Sequence, residues 1–120
     1  MPKEKPFHKE QILKGIMTLL ILKSLSQSPM HGYSLQTEIS SKIRRDLPQG
    51  TIYVLLKSLE RRGLISLYET MEERDKKIYT ITPEGLAFLQ GHRGPLSIAR
   101  NIMDELIAYI ETINQEKISE

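Results

Sequence analysis

Residues 50–61 combine small, hydroxyl-bearing and cationic residues at a spacing suited to binding a polyanion. Four apolar residues recur at i, i+3, i+4 and i+7, which predicts a helix that buries one face: Ile52, Leu55, Leu56 and Leu59. The opposite face then holds Gly50, Val54, Lys57 and Arg61, flanked by Thr51, Ser58 and Tyr53. Cationic side chains supply the donors that phosphates and guanine edges accept, and a glycine allows close approach of the backbone.

Two neighbouring elements must position this helix. An earlier helix is predicted over residues 33–43, with Leu35 and Ile39 on one face. Before the cationic helix, Asp46 and Gln49 have capping-box spacing with Pro48 between them, so the helix is expected to begin at Leu47. Its end is predicted at Gly63, where a left-handed φ is tolerated.

Two β-rich segments follow, at residues 64–70 and 76–82, joined by the polar residues 71–75. Two helices followed by a hairpin with a charged tip are typical of a winged helix-turn-helix. The expected fold is therefore mainly α with a small β-hairpin wing (α+β). In such folds the second helix can enter a DNA major groove about 12 Å wide, while the hairpin contacts neighbouring phosphates.

The charge distribution favours double-stranded DNA as a partner. The chain of 120 residues has a net charge of only +2, yet residues 42–62 hold six bases and two acids, whereas residues 104–120 hold one base and five acids. For Tyr53 a phosphate contact and a packing role at the base of the wing both stay open. The predicted DNA contacts are Tyr33, Arg44, Arg45, Gln49, Gly50, Thr51, Tyr53, Lys57, Arg61, Arg74, Lys76 and Lys77.

The outer helices favour a homodimer. Residues 9–26 form a predicted helix that is apolar nearly all round, and a last helix of some 19 residues repeats apolar residues at spacings of four and three. Packing on a second copy is the favoured interpretation, and folding back on the chain's own core is the alternative. The predicted interface comprises Ile16, Leu20, Ala99, Ile102, Met103, Leu106, Ile110 and Ile113.

Composition argues against other classes. The chain has no cysteine, and His8, His31 and His92 are too scattered for a metal site, so no metal or cofactor is expected. No paired carboxylates, serine elbow or phosphate-binding glycine loop indicates an enzyme. Without a secretory or membrane-spanning segment, a cytoplasmic protein is expected, with a DNA-binding domain over residues 1–90 and a dimerisation helix over residues 91–120.

Four strings in order resemble the PadR transcriptional regulators, named for a phenolic-acid-responsive repressor. The resemblance covers about residues 9–89 and implies a repressor that binds a near-palindromic operator as a homodimer, with DNA affinity lowered by a small-molecule effector. The single C-terminal helix resembles the short subgroup, in which this helix swaps across the dimer. The strings are His31-Gly32-Tyr33, Gly50-Thr51-Ile52-Tyr53, Leu59-Glu60-Arg61-Arg62-Gly63-Leu64-Ile65 and Tyr79-Thr80-Ile81-Thr82-Pro83-Glu84-Gly85.

The chain departs from that family at several positions. Val54 stands where the family often has proline, and the wing tip carries the acids Glu72, Glu73 and Asp75. The tryptophan on which some short members stack aromatic drugs is missing, so multidrug binding is not implied. Two alternatives stay open: a winged-helix module that binds a partner protein, and a ligand sensor with a dimer cavity lined by Met17, Phe88, Ile102 and Met103.

Overall fold

The computed structural model describes residues 9–43, 47, 50–69 and 77–119. Within these ranges the chain forms helices α1 (Lys9–Gln27), α2 (Gly32–Ile43), α3 (Thr51–Arg61), α4 (Pro83–Gln90) and α5 (Arg93–Ser119). The strands are β1 (Met30–His31), β2 (Ile65–Glu69) and β3 (Lys77–Ile81). This mainly helical chain with a small antiparallel sheet confirms the predicted winged-helix fold class.

The core lies where α1, α2 and α3 meet the sheet. In α2 and α3 the apolar residues recur every three or four positions, so each of these helices turns one stripe inward, whereas α1 is apolar on most sides. Helix α1 contributes four buried hydrophobic side chains, at Met17, Ile21, Leu22 and Leu25. The buried hydrophobic residues are Met17, Ile21, Leu22, Leu25, Leu35, Ile39, Ile52, Leu55, Leu56, Leu59, Leu64, Ile65 and Tyr79.

The sheet has the strand order β1-β3-β2 and is antiparallel throughout. Tyr79 of β3 lies opposite Leu67 of β2 and Met30 of β1, so it occupies the middle of the sheet. His31 also belongs to β1, and its Nδ1 atom lies 3.4 Å from the carbonyl oxygen of Lys77. The sequence does not predict β1, because two residues are too few to show alternation.

Helix α3 begins later than predicted. It starts at Thr51 rather than Leu47, and Gly50 is its N-cap with φ 97°, in the left-handed region. A residue in that conformation cannot lie inside a right-handed helix, so the helix cannot extend back to Leu47. The first helical bond runs from the Val54 amide to the Gly50 carbonyl oxygen at 2.9 Å. The predicted capping box depends on Asp46, Pro48 and Gln49, which lie outside the described residues.

The end of α3 confirms the predicted role of Gly63. With φ 74°, Gly63 donates its N–H to the carbonyl oxygen of Glu60, and Leu64 donates to that of Leu59. These two bonds and the buried pair Leu59 and Leu64 form a Schellman motif.

Thr82 joins this motif to α4. Its hydroxyl donates to the Gly63 carbonyl oxygen at 2.7 Å and accepts the Gly85 N–H at 3.0 Å. The second bond caps the N-terminus of the helix that Pro83 begins. The end of α3 and the start of α4 are therefore held together through one side chain.

The chain divides into two compact units, of which the first ends at Leu89 and the second begins at Gln90. The second unit contains α5, whose 27 residues span ~40 Å. The helix is longer than the predicted length of some 19 residues, which assumes the interruption that a proline such as Pro95 ordinarily causes. Pro95 instead lies in the first turn, where its missing N–H has no helical partner to lose. No helix in the described part of the chain combines the length and the apolar character needed to cross a bilayer.

Candidate nucleic-acid interface

The orientation of α3 is fixed by its apolar stripe. Ile52, Leu55, Leu56 and Leu59 are each at most 4% exposed and pack into the core with α1 and α2. Because these four residues lie on one side of the helix, the side opposite them must face away from the core. The helix also packs on α2 and β2, so neighbours on both sides hold it in place.

The outward side of α3 presents two cations and little bulk at its N-terminal end. Lys57 and Arg61 are exposed, Val54 is 65% exposed, and Gly50 and Thr51 are half-buried. Within the described part of the chain, neither cation forms an ion pair. Long cationic side chains without an acidic partner are available to phosphate oxygens or guanine edges. We call the surface formed by these five residues the α3 outer face.

Arg62 differs from its neighbour Arg61. Its guanidinium lies 4.9 Å from the centre of the Phe88 ring, a cation–π contact with α4. Arg62 therefore helps to join α3 to α4, whereas Arg61 projects from the outer face. The sequence alone does not separate these two adjacent arginines.

Tyr53 stands on the flank of α3 beside the start of α2. A β-carbon built on Gly32 would lie 2.6 Å from the Cε1 atom of the Tyr53 ring and 3.3 Å from its hydroxyl oxygen. A side chain at position 32 would push this ring aside, so Gly32 is what allows Tyr53 its present position, a role that the sequence does not reveal. Tyr53 remains 44% exposed, which keeps its predicted phosphate contact possible.

Tyr79 is a buried tyrosine of the central strand β3. Burial raises the pKa of its phenol above the ordinary value of 10.0, and the negative charge of Glu60 and the neighbouring Tyr53 phenol act in the same direction. Burial therefore favours the neutral phenol at position 79. Tyr53 itself combines its contact at Gly32 with an exposed edge.

The other predicted contact residues divide into two groups. Tyr33 is 74% exposed at the start of α2, next to Gly32. Lys77 is exposed at the start of β3. The remaining predicted contacts lie outside the described residues: Arg44, Arg45, Gln49, Arg74 and Lys76.

The predicted dimer residues lie on α1 and α5. Ile16 is exposed, whereas Leu20 packs partly against the core. On α5, Ala99 and Ile113 are half-buried, and four residues are between 40% and 54% exposed: Ile102, Met103, Leu106 and Ile110. Met17, which the ligand-sensor alternative would place in a cavity, is instead 1% exposed in the core.

A helix-turn-helix pair with a cationic outer face, followed by a β-hairpin, defines a winged-helix DNA-binding protein. The sequence model of the Transcriptional regulator PadR-like family matches residues 21–91. The chain therefore belongs to this family, as the resemblance predicts, and its members are transcriptional regulators that bind DNA rather than enzymes.

Solved structures of similar proteins support this assignment. A candidate transcriptional regulator from Thermoplasma acidophilum is 40% identical, with a TM-score of 0.74 over 85% of this chain and 98% of its own. A PadR-like transcriptional regulator from Bacillus cereus is 28% identical, with a TM-score of 0.66 over 81% of this chain and 96% of its own. An uncharacterised protein from Lysinibacillus sphaericus is 26% identical over 85 residues, which cover 68% of this chain and 78% of that protein.

Proposed function

We propose that this PadR-family protein is a repressor that binds a near-palindromic operator as a homodimer. The observation that carries the proposal is the α3 outer face, where Lys57 and Arg61 project opposite a fully buried apolar stripe. In a helix-turn-helix protein such a face enters the major groove, and its cations contact base edges or phosphates.

The exposed apolar residues of α5 support the dimer. Leu106, Ile107 and Ile110 are each more than half exposed, and water is an unfavourable environment for a continuous apolar stripe. A second copy provides an identical stripe and generates the two-fold symmetry that a palindromic operator requires. The two half-sites should then lie about 10 base pairs apart, or a multiple of that distance.

The decisive experiment selects DNA from a random pool with the purified protein and then measures affinity for the enriched fragment. The double variant Lys57→Glu/Arg61→Glu should lose at least 100-fold in affinity, since it turns the cations of the outer face into acids (about 1.4 kcal/mol per tenfold). Lys14→Glu/Lys23→Glu is the matched control, because it changes the net charge equally at two exposed lysines of α1.

The two variants separate a local effect from a general one. The control should lose far less affinity, because its charges lie away from the proposed interface and salt screens them beyond about 10 Å. Equal losses in both variants would contradict a specific role of α3. Binding of a protein partner that survives reversal at Lys57 and Arg61, with no DNA enriched, would favour the interaction-module alternative.

Repression and its release need separate measurements. A reporter gene placed behind the enriched fragment should be less active when the protein is present, whereas increased activity would identify an activator.

The proposal includes a small-molecule effector, on the basis of the family resemblance. Phenolic acids added to the preformed complex should lower the bound fraction, and unchanged binding across such a panel would exclude that class of effector.

A further inference from the structure

We propose that Val54 contacts the 5-methyl group of a thymine in the major groove and so selects thymine at one position of each half-site. The inference rests on the proposed function and deepens it, because it assigns a base preference to an apolar residue of the α3 outer face. The predicted contacts drawn from the sequence comprise donors and small residues and omit Val54.

The exposure of Val54 is the first observation. Its side chain is 65% exposed, although its neighbour Leu55 is 4% exposed and the same helix provides four core residues. At about 100° per residue, Val54 points roughly 150° away from the centre of the buried stripe. It therefore adds little to the packing of its own domain, and an apolar side chain in this position is free to cover apolar surface elsewhere.

The neighbours of Val54 leave it accessible from the direction of the N-cap. One turn earlier lies Gly50, and a β-carbon built there would have no atom of the described residues within 4 Å. Lys57 and Ser58 follow one turn later, both exposed. Because Gly50 has no side chain, the first turn of α3 can approach the floor of a groove until Val54 touches it.

The position of Val54 is also well defined. Its amide donates to the Gly50 carbonyl oxygen at 2.9 Å, which fixes the backbone of the first turn. The β-branched side chain is confined to one preferred rotamer in a helix, so little conformational entropy is lost on contact. A short, stiff, apolar group is suited to a methyl group rather than to a hydrogen-bonding edge.

The thymine 5-methyl group is the apolar group that the major groove offers to Val54. Of the four base-pair orientations, only those with thymine present a methyl group in the major groove, and apolar side chains are the groups that contact it. Lys57 on the same face can contact a phosphate or a neighbouring guanine at the same time. Val54 would then select thymine at one position while the cations supply affinity.

The test uses the fragment that the wild-type protein enriches from a random pool. Each thymine is replaced in turn by deoxyuridine, which removes only the 5-methyl group. One thymine in each half-site should be sensitive, with binding weakened about fourfold per methyl contact. The variant Val54→Ala, which removes both γ-methyl groups, should lose most of the difference between the original and the substituted probe at that position.

Two further variants make the result specific. Val54→Thr retains one methyl group and should keep part of the preference for thymine. Lys57→Ala should weaken both probes by the same factor and so leave their ratio unchanged. A thymine whose methyl group matters equally to wild type and Val54→Ala would overturn the inference, as would the lack of any sensitive thymine in a fragment that binds well. Failure to enrich any fragment would overturn the proposed function together with this inference.

Discussion

At the scale of single residues, the two cations of the outer face have different expected partners. Lysine is a flexible point charge and arginine a planar fork, so Lys57 suits a phosphate and Arg61 suits a phosphate or a guanine edge. Neither forms an ion pair within the part of the chain that the structure describes, so substitution breaks no internal contact of that kind.

Lys57→Ala distinguishes the two modes of contact. If Lys57 binds a phosphate, the variant should lose affinity by a similar factor for the enriched fragment and for every single-base variant of it. If it contacts guanine, discrimination at one position should fall by about 1–3 kcal/mol while other positions keep theirs. Fluorescence anisotropy with the set of single-base variants measures both, and unchanged binding to all of them would remove Lys57 from the interface.

Tyr79 provides a prediction about alkaline pH. Its phenol has a raised pKa in the folded chain, so folding favours the neutral form. The associated stability is fully present below the unfolded pKa of about 10 and is lost as pH rises through the higher folded value. Tyr79→Phe cannot ionise and should therefore lose less stability than wild type between pH 9 and pH 11.

Urea unfolding at several pH values checks this expectation. Tyr68→Phe is the control, because Tyr68 is a tyrosine of the adjacent strand β2 that is 45% exposed. It should follow the wild-type decline. If Tyr79→Phe declined in parallel with the other two proteins, the buried phenol would not be the titrating group.

At the scale of elements, the junction between α3 and α4 is the most constrained. A β-carbon on Gly85 would collide with the carbonyl oxygen of Leu64 and lie 2.8 Å from a side-chain carbon of Ile81. Gly85→Ala should therefore lower the free energy of unfolding by about 1–3 kcal/mol, because the backbone carbonyl cannot move aside without disturbing the Schellman motif.

Gly94→Ala is the matched substitution, since a β-carbon there meets no atom within 4 Å. It should leave stability unchanged or raise it by up to about 1 kcal/mol in the same denaturant titration. Similar losses for both glycines would show that the junction is looser than the contacts of Gly85 imply.

Elements with a long, regular pattern are predictable from sequence, and short or glycine-dependent features are not. The stripe of α3, its end at Gly63 and the cap at Thr82 follow from spacing and residue type. The strand β1 is too short to show a pattern. The predicted start of α3 at Leu47 is wrong. In the sequence the capping motif is the stronger signal, whereas in the structure the positive φ of Gly50 makes the helix begin at Thr51.

The same contrast holds for the candidate site. Lys57 and Arg61 can be assigned to the outer face because helical periodicity fixes their direction once the core stripe is known. The contact between Tyr53 and Gly32 cannot be predicted in this way, because it joins residues of two helices whose packing is not encoded by local sequence. Separating Arg61 from Arg62 likewise requires the position of Phe88.

At the scale of the whole molecule, the proposed dimer sets how DNA binding is expected to depend on salt. If each subunit neutralises about four phosphates, a plot of log affinity against log salt concentration should have a slope near −7. Lys57→Ala should reduce the magnitude of that slope by about two, one phosphate in each half of the dimer, if the lysine contacts a phosphate. A slope near zero would remove the electrostatic mechanism, and a slope near −3.5 would indicate that one subunit alone engages DNA.

The left-handed N-cap has a consequence for retargeting the protein to new DNA sites. The left-handed φ of Gly50 would strain any other residue, and a side chain at position 32 would displace the Tyr53 ring, so both glycines should be kept. A combinatorial library should therefore leave positions 32, 50 and 53 untouched and randomise positions 51, 54, 57, 58 and 61. Binders with altered sequence preference should emerge from that library without loss of folding yield.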